Sequence, residues 1–181
     1  MVNPLPWKAS SAGPDPTENP DAEPDQEEVA RKILLDQLTG QARSRHELAQ
    51  RLARRNVPED VAERLLDRFE EVGLIDDEAF ARAWVESRQR TRGLARTALS
   101  QELRRKGIDD DTAREVLGEV DRDDEEETAR ALVRKRLRTL RGVDEQVAVR
   151  RLVGLLARKG YSSGMAFAVV REELDLGELP G

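Results

Sequence analysis

From Val29 onward apolar positions recur three and four residues apart and never alternate over a strand's length, so the pattern predicts helices alone. The pattern also comes round three times. Leu48, Leu52, Asn56 and Val57 are matched by Leu99, Leu103, Gly107 and Ile108, then by Leu152, Leu156, Gly160 and Tyr161, at separations of 51 and 53 residues. Each quartet sets two leucines on one face of a basic segment, then a residue that accepts positive φ, then an apolar residue. That order reads as an amphipathic helix closed by a left-handed cap.

The punctuation extends the repeat to three helices per copy. Gly40, Gly93 and Gly142 are placed to stop each first helix, and Asn56, Gly107 and Gly160 to stop each second one. Starts are equally visible. Ser44 with Glu47 forms a capping box, Asp76 stands between Ile75 and Phe80 in staple positions, Pro58 suits a first turn, and Asp109, Asp144 and Ser162 can cap others. Third helices follow with apolar registers at Val61, Ala62, Leu65 and Phe69, at Ala113, Val116, Leu117 and Val120, and at Met165, Ala166, Val169 and Val170.

The expected fold is therefore all-α, three tandem three-helix repeats over residues 29–73, 74–122 and 123–181. Short connections of two to five residues make sequential helices neighbours, and units this small are expected to lean on one another in a continuous, elongated and curved stack.

Charge changes the picture at the start of the chain. The formal net charge is −6, yet residues 1–28 hold Lys8 alone against Asp15, Glu18, Asp21, Glu23, Asp25, Glu27 and Glu28, so the tail carries the whole excess and the body balances. Six prolines between Pro4 and Pro24 complete a segment expected to be a disordered acidic tail. Trp7 beside Leu5 is read as an incidental aromatic rather than a docking motif. The start lacks a secretory pattern and no run is long and apolar enough to span a membrane, so a cytoplasmic chain without membrane contact is expected.

Composition also removes most catalytic chemistry. With no cysteine and one histidine, His46, there is no thiolate nucleophile and no set for histidine-based metal or triad chemistry. Gly160, Tyr161, Ser162, Ser163 and Gly164 satisfy a nucleophile-elbow spacing, but a basic helix precedes them where an elbow needs a strand, so Ser162 is read as a helix cap. The run Asp121, Asp123, Asp124, Glu125, Glu126, Glu127 lacks the glycine and ligand spacing of a calcium loop. It is read as complementing the dipole of a helix that continues from Thr128 to Arg141. His46 is expected to be solvated, and Phe80 with Trp84 to form a core stripe rather than a hot spot. We expect no enzyme, no cofactor, no metal and a monomer.

Two one-signed basic stretches remain as candidate partner-binding sites. Arg88, Arg90, Arg92, Arg96, Arg104, Arg105 and Lys106 face Glu102 as their only acid, and Arg130, Arg134, Lys135, Arg136, Arg138 and Arg141 have none among them. Such a field attracts phosphate or an acidic protein surface.

The string from Gly73 through Asp76, Asp77, Phe80 and Trp84, then Arg88, Gly93, Leu99, Glu102, Leu103, Lys106, Gly107 and Ile108, resembles the signature of the RecX family of bacterial recombination regulators. The resemblance covers residues 29 to about 174 and follows the threefold repeat. It implies a non-enzymatic protein that binds the RecA recombinase filament on DNA along its groove. There it would restrain filament growth, strand exchange, ATP hydrolysis and co-protease activity. The acidic tail lies outside the shared region, and the third repeat lacks an equivalent of Phe80 and Trp84. The rival reading is a stand-alone DNA-binding protein that inserts the basic helix Leu94 to Lys106 into a major groove. It is weakened because Gln101 is the only amide there, and weak direct DNA contact stays open.

Overall fold

Each predicted apolar register closes over its own triplet of helices. The computed structural model describes residues 25–177, and in that span the elements are α1 (Gln26–Gly40), α2 (Arg45–Ala53), α3 (Glu59–Glu71), α4 (Asp77–Arg92), α5 (Arg96–Arg105), α6 (Asp110–Gly118), α7 (Arg122–Leu137), α8 (Glu145–Arg158) and α9 (Ser163–Gly177). No strand occurs among the described residues. Helices α1 to α3, α4 to α6 and α7 to α9 pack within their own triplets.

The caps are those the sequence announces. Ser44 and Glu47 complete the reciprocal box. Asp76 accepts from the Ala79 amide at 2.8 Å, Asp144 from Val147 at 3.2 Å, and Ser162 Oγ from Met165 at 3.3 Å. Asp121 accepts from Asp123 at 2.7 Å, and Asp123, Asp124 and Glu125 fill the first turn of α7, where carboxylates complement the dipole.

Three expectations about the ends of elements are corrected. Gln26, Glu27 and Glu28, assigned to the tail, begin α1, because Asp25 caps the Glu27 amide and both glutamates suit a first turn; the rest of the tail reading, Trp7 included, falls on residues outside the described span. Gly40 is not left-handed. It ends α1 in helical geometry, and the chain leaves through an extended Gln41. Helix α7 starts at Arg122 and stops at Leu137, not Arg141: Leu140 turns away into the core, the Thr139 hydroxyl donates to the Arg136 carbonyl at 2.8 Å, and Gly142 reverses the chain at φ 78°. The connection to α8 is accordingly seven residues long, beyond the predicted five.

The three triplets lean on one another as expected, and the core divides into three hydrophobic clusters, with Ala95 at the start of α5 packed into the third. The first gathers Ala30, Leu34, Leu48, Leu52, Leu65, Leu66 and Phe69 with Ile75; the second gathers Phe80, Val85, Leu99, Leu103, Ile108 and Val116; the third gathers Val133, Leu152, Leu156, Tyr161, Ala166, Val169 and Val170. Ile75 thus belongs to the first core and Phe80 to the second, so this pair marks the boundary between triplets rather than stapling one helix.

Polar contacts at helix ends join the triplets, and the same junction is built twice. The end of α5 meets the start of α2, where the Ser44 hydroxyl donates to the Lys106 carbonyl at 2.6 Å. Likewise the end of α8 meets the start of α5, where the Ala95 amide donates to the Lys159 carbonyl at 2.8 Å. The first turn of the next triplet then caps the same backbone position in each case: Arg45 N–H donates to Asp77 at 2.8 Å and Arg96 N–H to Glu125 at 2.7 Å. No hydrogen bond or ion pair among the described residues links the first triplet to the third.

Candidate partner-binding surface

The basic residues of the middle triplet are largely occupied by its own fold. Glu102, mostly buried, accepts from the Trp84 indole N–H at 2.9 Å, from Arg88 at 2.9 Å and from Arg92 at 3.0 Å. The Arg88 guanidinium and the Lys106 ammonium also lie over the Trp84 ring, 4.0 and 4.3 Å from its centroid, and Lys106 reaches Glu47 of the first triplet at 2.6 Å. Trp84 packs against the second core as expected, and its exposed edge carries the charged groups as well. Phe80 is buried and stacks on it at 5.7 Å, while Trp84 is half-buried and holds a charged network.

Arg96 is held by Glu125 and by the Val120 carbonyl, Arg90 pairs with Glu86 at 3.2 Å, and Arg104 with Asp110 at 3.5 Å. Arg105 is exposed and makes no ion pair among the described residues. On α5 the exposed positions are Thr97, Gln101, Arg104 and Arg105.

The second basic stretch divides in two. Arg130 is ringed by Glu126, Glu127 and Glu172, and Arg134 makes a two-pronged pair with Glu173, both bonds 2.8 Å, while also meeting Glu127 at 3.2 Å. These carboxylates hold both guanidiniums above the ordinary arginine range. They also tie α9 to α7. Lys135, Arg136, Arg138 and Arg141 are exposed and unpaired among the described residues.

The acidic run is equally committed, Glu125 to Arg96 and Glu126 and Glu127 to arginines. No group of three or more metal-ligating side chains gathers among the described residues. His46 is exposed, its Nε2 2.8 Å from Gln50 Nε2, but its Cβ stands where a side chain on Gly107 would go.

At the second junction Arg92, Lys135 and Lys159 come together. The Lys159 ammonium donates to the Arg92 carbonyl, and its pKa is lowered by burial and by the charges of Arg92 and Lys135. Beyond them lies a groove of about 550 Å³ lined by Arg136, Arg150, Arg151, Leu155 and Arg158. The last three arginines are absent from the sequence candidates because no dense basic run contains them. Their signal is different: from Gln146 to Arg171 the chain has no acidic residue at all.

Family models match all three triplets in order: the first RecX three-helix domain over residues 30–69, the second over 76–117 and the third over 123–170. Regulatory protein RecX of Streptomyces coelicolor is 55% identical over 148 residues, 82% of this chain and 79% of that protein. Its namesake from Amycolatopsis mediterranei is 53% identical over 145 residues, 80% of this chain and 83% of that one. Among solved structures, one titled regulatory protein RecX superposes with a TM-score of 0.74 at 27% identity, over 82% of this chain and 72% of that chain. RecX from Lactobacillus salivarius gives 0.76 at 23% identity, over 84% and 98%, a likeness of fold. With three family domains in the order of its helical triplets and relatives more than half identical, the chain belongs to the RecX family of regulatory proteins.

Proposed function

We propose that this chain is a non-enzymatic regulator of a RecA recombinase. As a monomer in the cytoplasm, it binds the RecA filament on DNA along its groove and restrains extension, strand exchange, ATP hydrolysis and co-protease activity. Family membership supplies the regulatory role, and the observation that carries the filament reading is the array of three triplets joined twice by one junction. A repeating partner presents equivalent surfaces at regular intervals, and linked modules that each touch one of them gain affinity through effective concentration. Among the candidate residues read from the sequence, contact falls to exposed cations that the fold does not pair, Arg105, Lys135, Arg138 and Arg141 among them.

The test is DNA-dependent ATP hydrolysis by the cognate RecA with increasing amounts of the purified chain. A concentration-dependent fall supports the reading, and unchanged hydrolysis at saturating protein refutes it. Filament extension at substoichiometric protein then separates two modes. Arrest with few copies means capping of filament ends, whereas inhibition needing a copy for every few subunits means coating of the groove.

A further inference from the structure

We infer that the groove between α7 and α8 is a binding site for the phosphodiester backbone of a nucleic acid, belonging to the chain itself and independent of any recombinase. Its lining is four exposed arginines, Arg136 from α7 and Arg150, Arg151 and Arg158 from α8, with Leu155 as the single apolar member.

The grouping is unlike a solvated helix face elsewhere in this protein. Five exposed arginines on other helices pair with an acid three or four residues away, Arg31 with Glu27, Arg64 with Asp60, Arg82 with Glu78, Arg90 with Glu86 and Arg114 with Asp111. Around the groove those positions hold Gln146 and Gly154 for Arg150, Val147 and Leu155 for Arg151, and Gly154 and Ser162 for Arg158. Four like charges in one groove repel one another, and no carboxylate among the described residues relieves them.

Gly154 adds a second observation. It sits inside α8, where glycine is a poorer helix former than alanine, and it makes no turn. A Cβ at 154 would stand 3.3 Å from Nη1 of Arg158, so the bare backbone lets that guanidinium lie close along the helix.

The chemistry selects the ligand. A phosphodiester offers one charge and two non-bridging oxygens that match the fork of a guanidinium, and successive phosphates can engage successive arginines. An acidic protein surface would need an apolar anchor at the centre of its contact, and Leu155 alone supplies little. The groove has no aromatic side chain for stacking and no amide for reading base edges, so binding should ignore sequence.

The experiment is fluorescence anisotropy of a labelled thirty-nucleotide oligo-dT and of a duplex of the same length, titrated with the full chain over a potassium chloride series and without recombinase. Salt-sensitive binding is expected. The triple variant R150A/R151A/R158A should lose at least tenfold in affinity, and its log–log salt slope should flatten by about two, with circular dichroism unchanged. R150K/R151K/R158K keeps the charge and should hold most of the slope while losing affinity, which also serves if the alanine variant folds poorly. R55A/R68A/R122A removes the same charge elsewhere and should bind as the parent does. The proposal is overturned if the parent chain does not bind, if both alanine triples lose affinity equally, or if polyglutamate displaces the oligonucleotide as well as unlabelled oligo-dT does.

Discussion

Gly160 at the end of α8 lies so close to the start of α5 that a Cβ on it would stand 2.4 Å from the Ala98 amide nitrogen. Its φ is +89°, so a side chain would be strained as well as obstructed. Gly107 repeats the relationship one triplet earlier, its missing Cβ falling 2.2 Å from the Cβ of His46. Asn56, the equivalent residue in the first triplet, keeps positive φ, at 57°. We expect Gly160→Ala to cost at least about 2 kcal/mol. Gly73→Ala, with φ +73° and nothing within 4 Å, should cost about 1 kcal/mol. Urea unfolding of both variants checks the order, and equal losses would refute the close approach as the cause.

Glu102 supports a second expectation. Replacing it with alanine strands the Trp84 indole N–H and removes the anion that Arg88 and Arg92 share. A largely buried acceptor serving three donors should cost about 2–3 kcal/mol when removed. In a Trp7→Phe background Trp84 is the only tryptophan, so its emission reports the site directly. A variant with unshifted emission and parental stability would show the network to be incidental. By the same reasoning, alanine at Arg88, Arg92, Arg96 and Lys106 together should loosen the middle triplet, so its effect on any partner must be read beside its stability.

The fold was legible because its signals are local. Leucine spacing, Asp and Ser caps and the residues of positive φ each act within one or two helical turns, and they located the triplets to within a few residues. The junctions were not legible for the complementary reason. That Glu125 caps Arg96, or that Lys106 bridges Trp84 and Glu47, depends on segments 29 and 59 residues apart. Basic runs misled in the same way, since density along the chain says nothing about where the matching acid lies in space. Arg134 has no acid three or four residues away, and α9 brings Glu173 beside it. Conversely, Arg150, Arg151 and Arg158 look sparse until α8 folds against α7 and puts them in one groove with Arg136.

Tyr161, the only tyrosine, gives a test at high pH. It is buried in the third core and its hydroxyl donates to the Gly93 carbonyl at 3.1 Å across the second junction. Burial first, and then the Glu125 charge, push the phenol up to about 12. The unfolded chain releases this proton near pH 10, so between about 10 and 12 the folded form holds more protons and stability falls as pH rises. The contribution is fully present below pH 10. We expect the phenolate absorbance of the folded protein to appear about two pH units later than in urea. Tyr161→Phe should remove that part of the alkaline loss and cost about 1 kcal/mol at neutral pH through the lost hydrogen bond.

Glu173 separates structural from available cations in the second basic stretch. Its side chain is 4% exposed and is gripped on both oxygens by Arg134, which fixes α9 on α7. Arg134→Ala leaves that carboxylate buried without its counter-charge, so we expect a clear fall in melting temperature and early loss of amide protection along α9. Glu173→Gln keeps the shape and one acceptor, and should fall between the two. Arg138→Ala and Arg141→Ala remove exposed charges with no partner among the described residues, and should leave the melting curve where it was. If filament inhibition is then measured, loss of effect with Arg138→Ala and Arg141→Ala at unchanged stability assigns those two side chains to the partner. The same loss with Arg134→Ala, accompanied by frayed α9, assigns it to the fold. Hydrogen exchange on the four variants distinguishes these outcomes, because only the Arg134 and Glu173 substitutions should open α9.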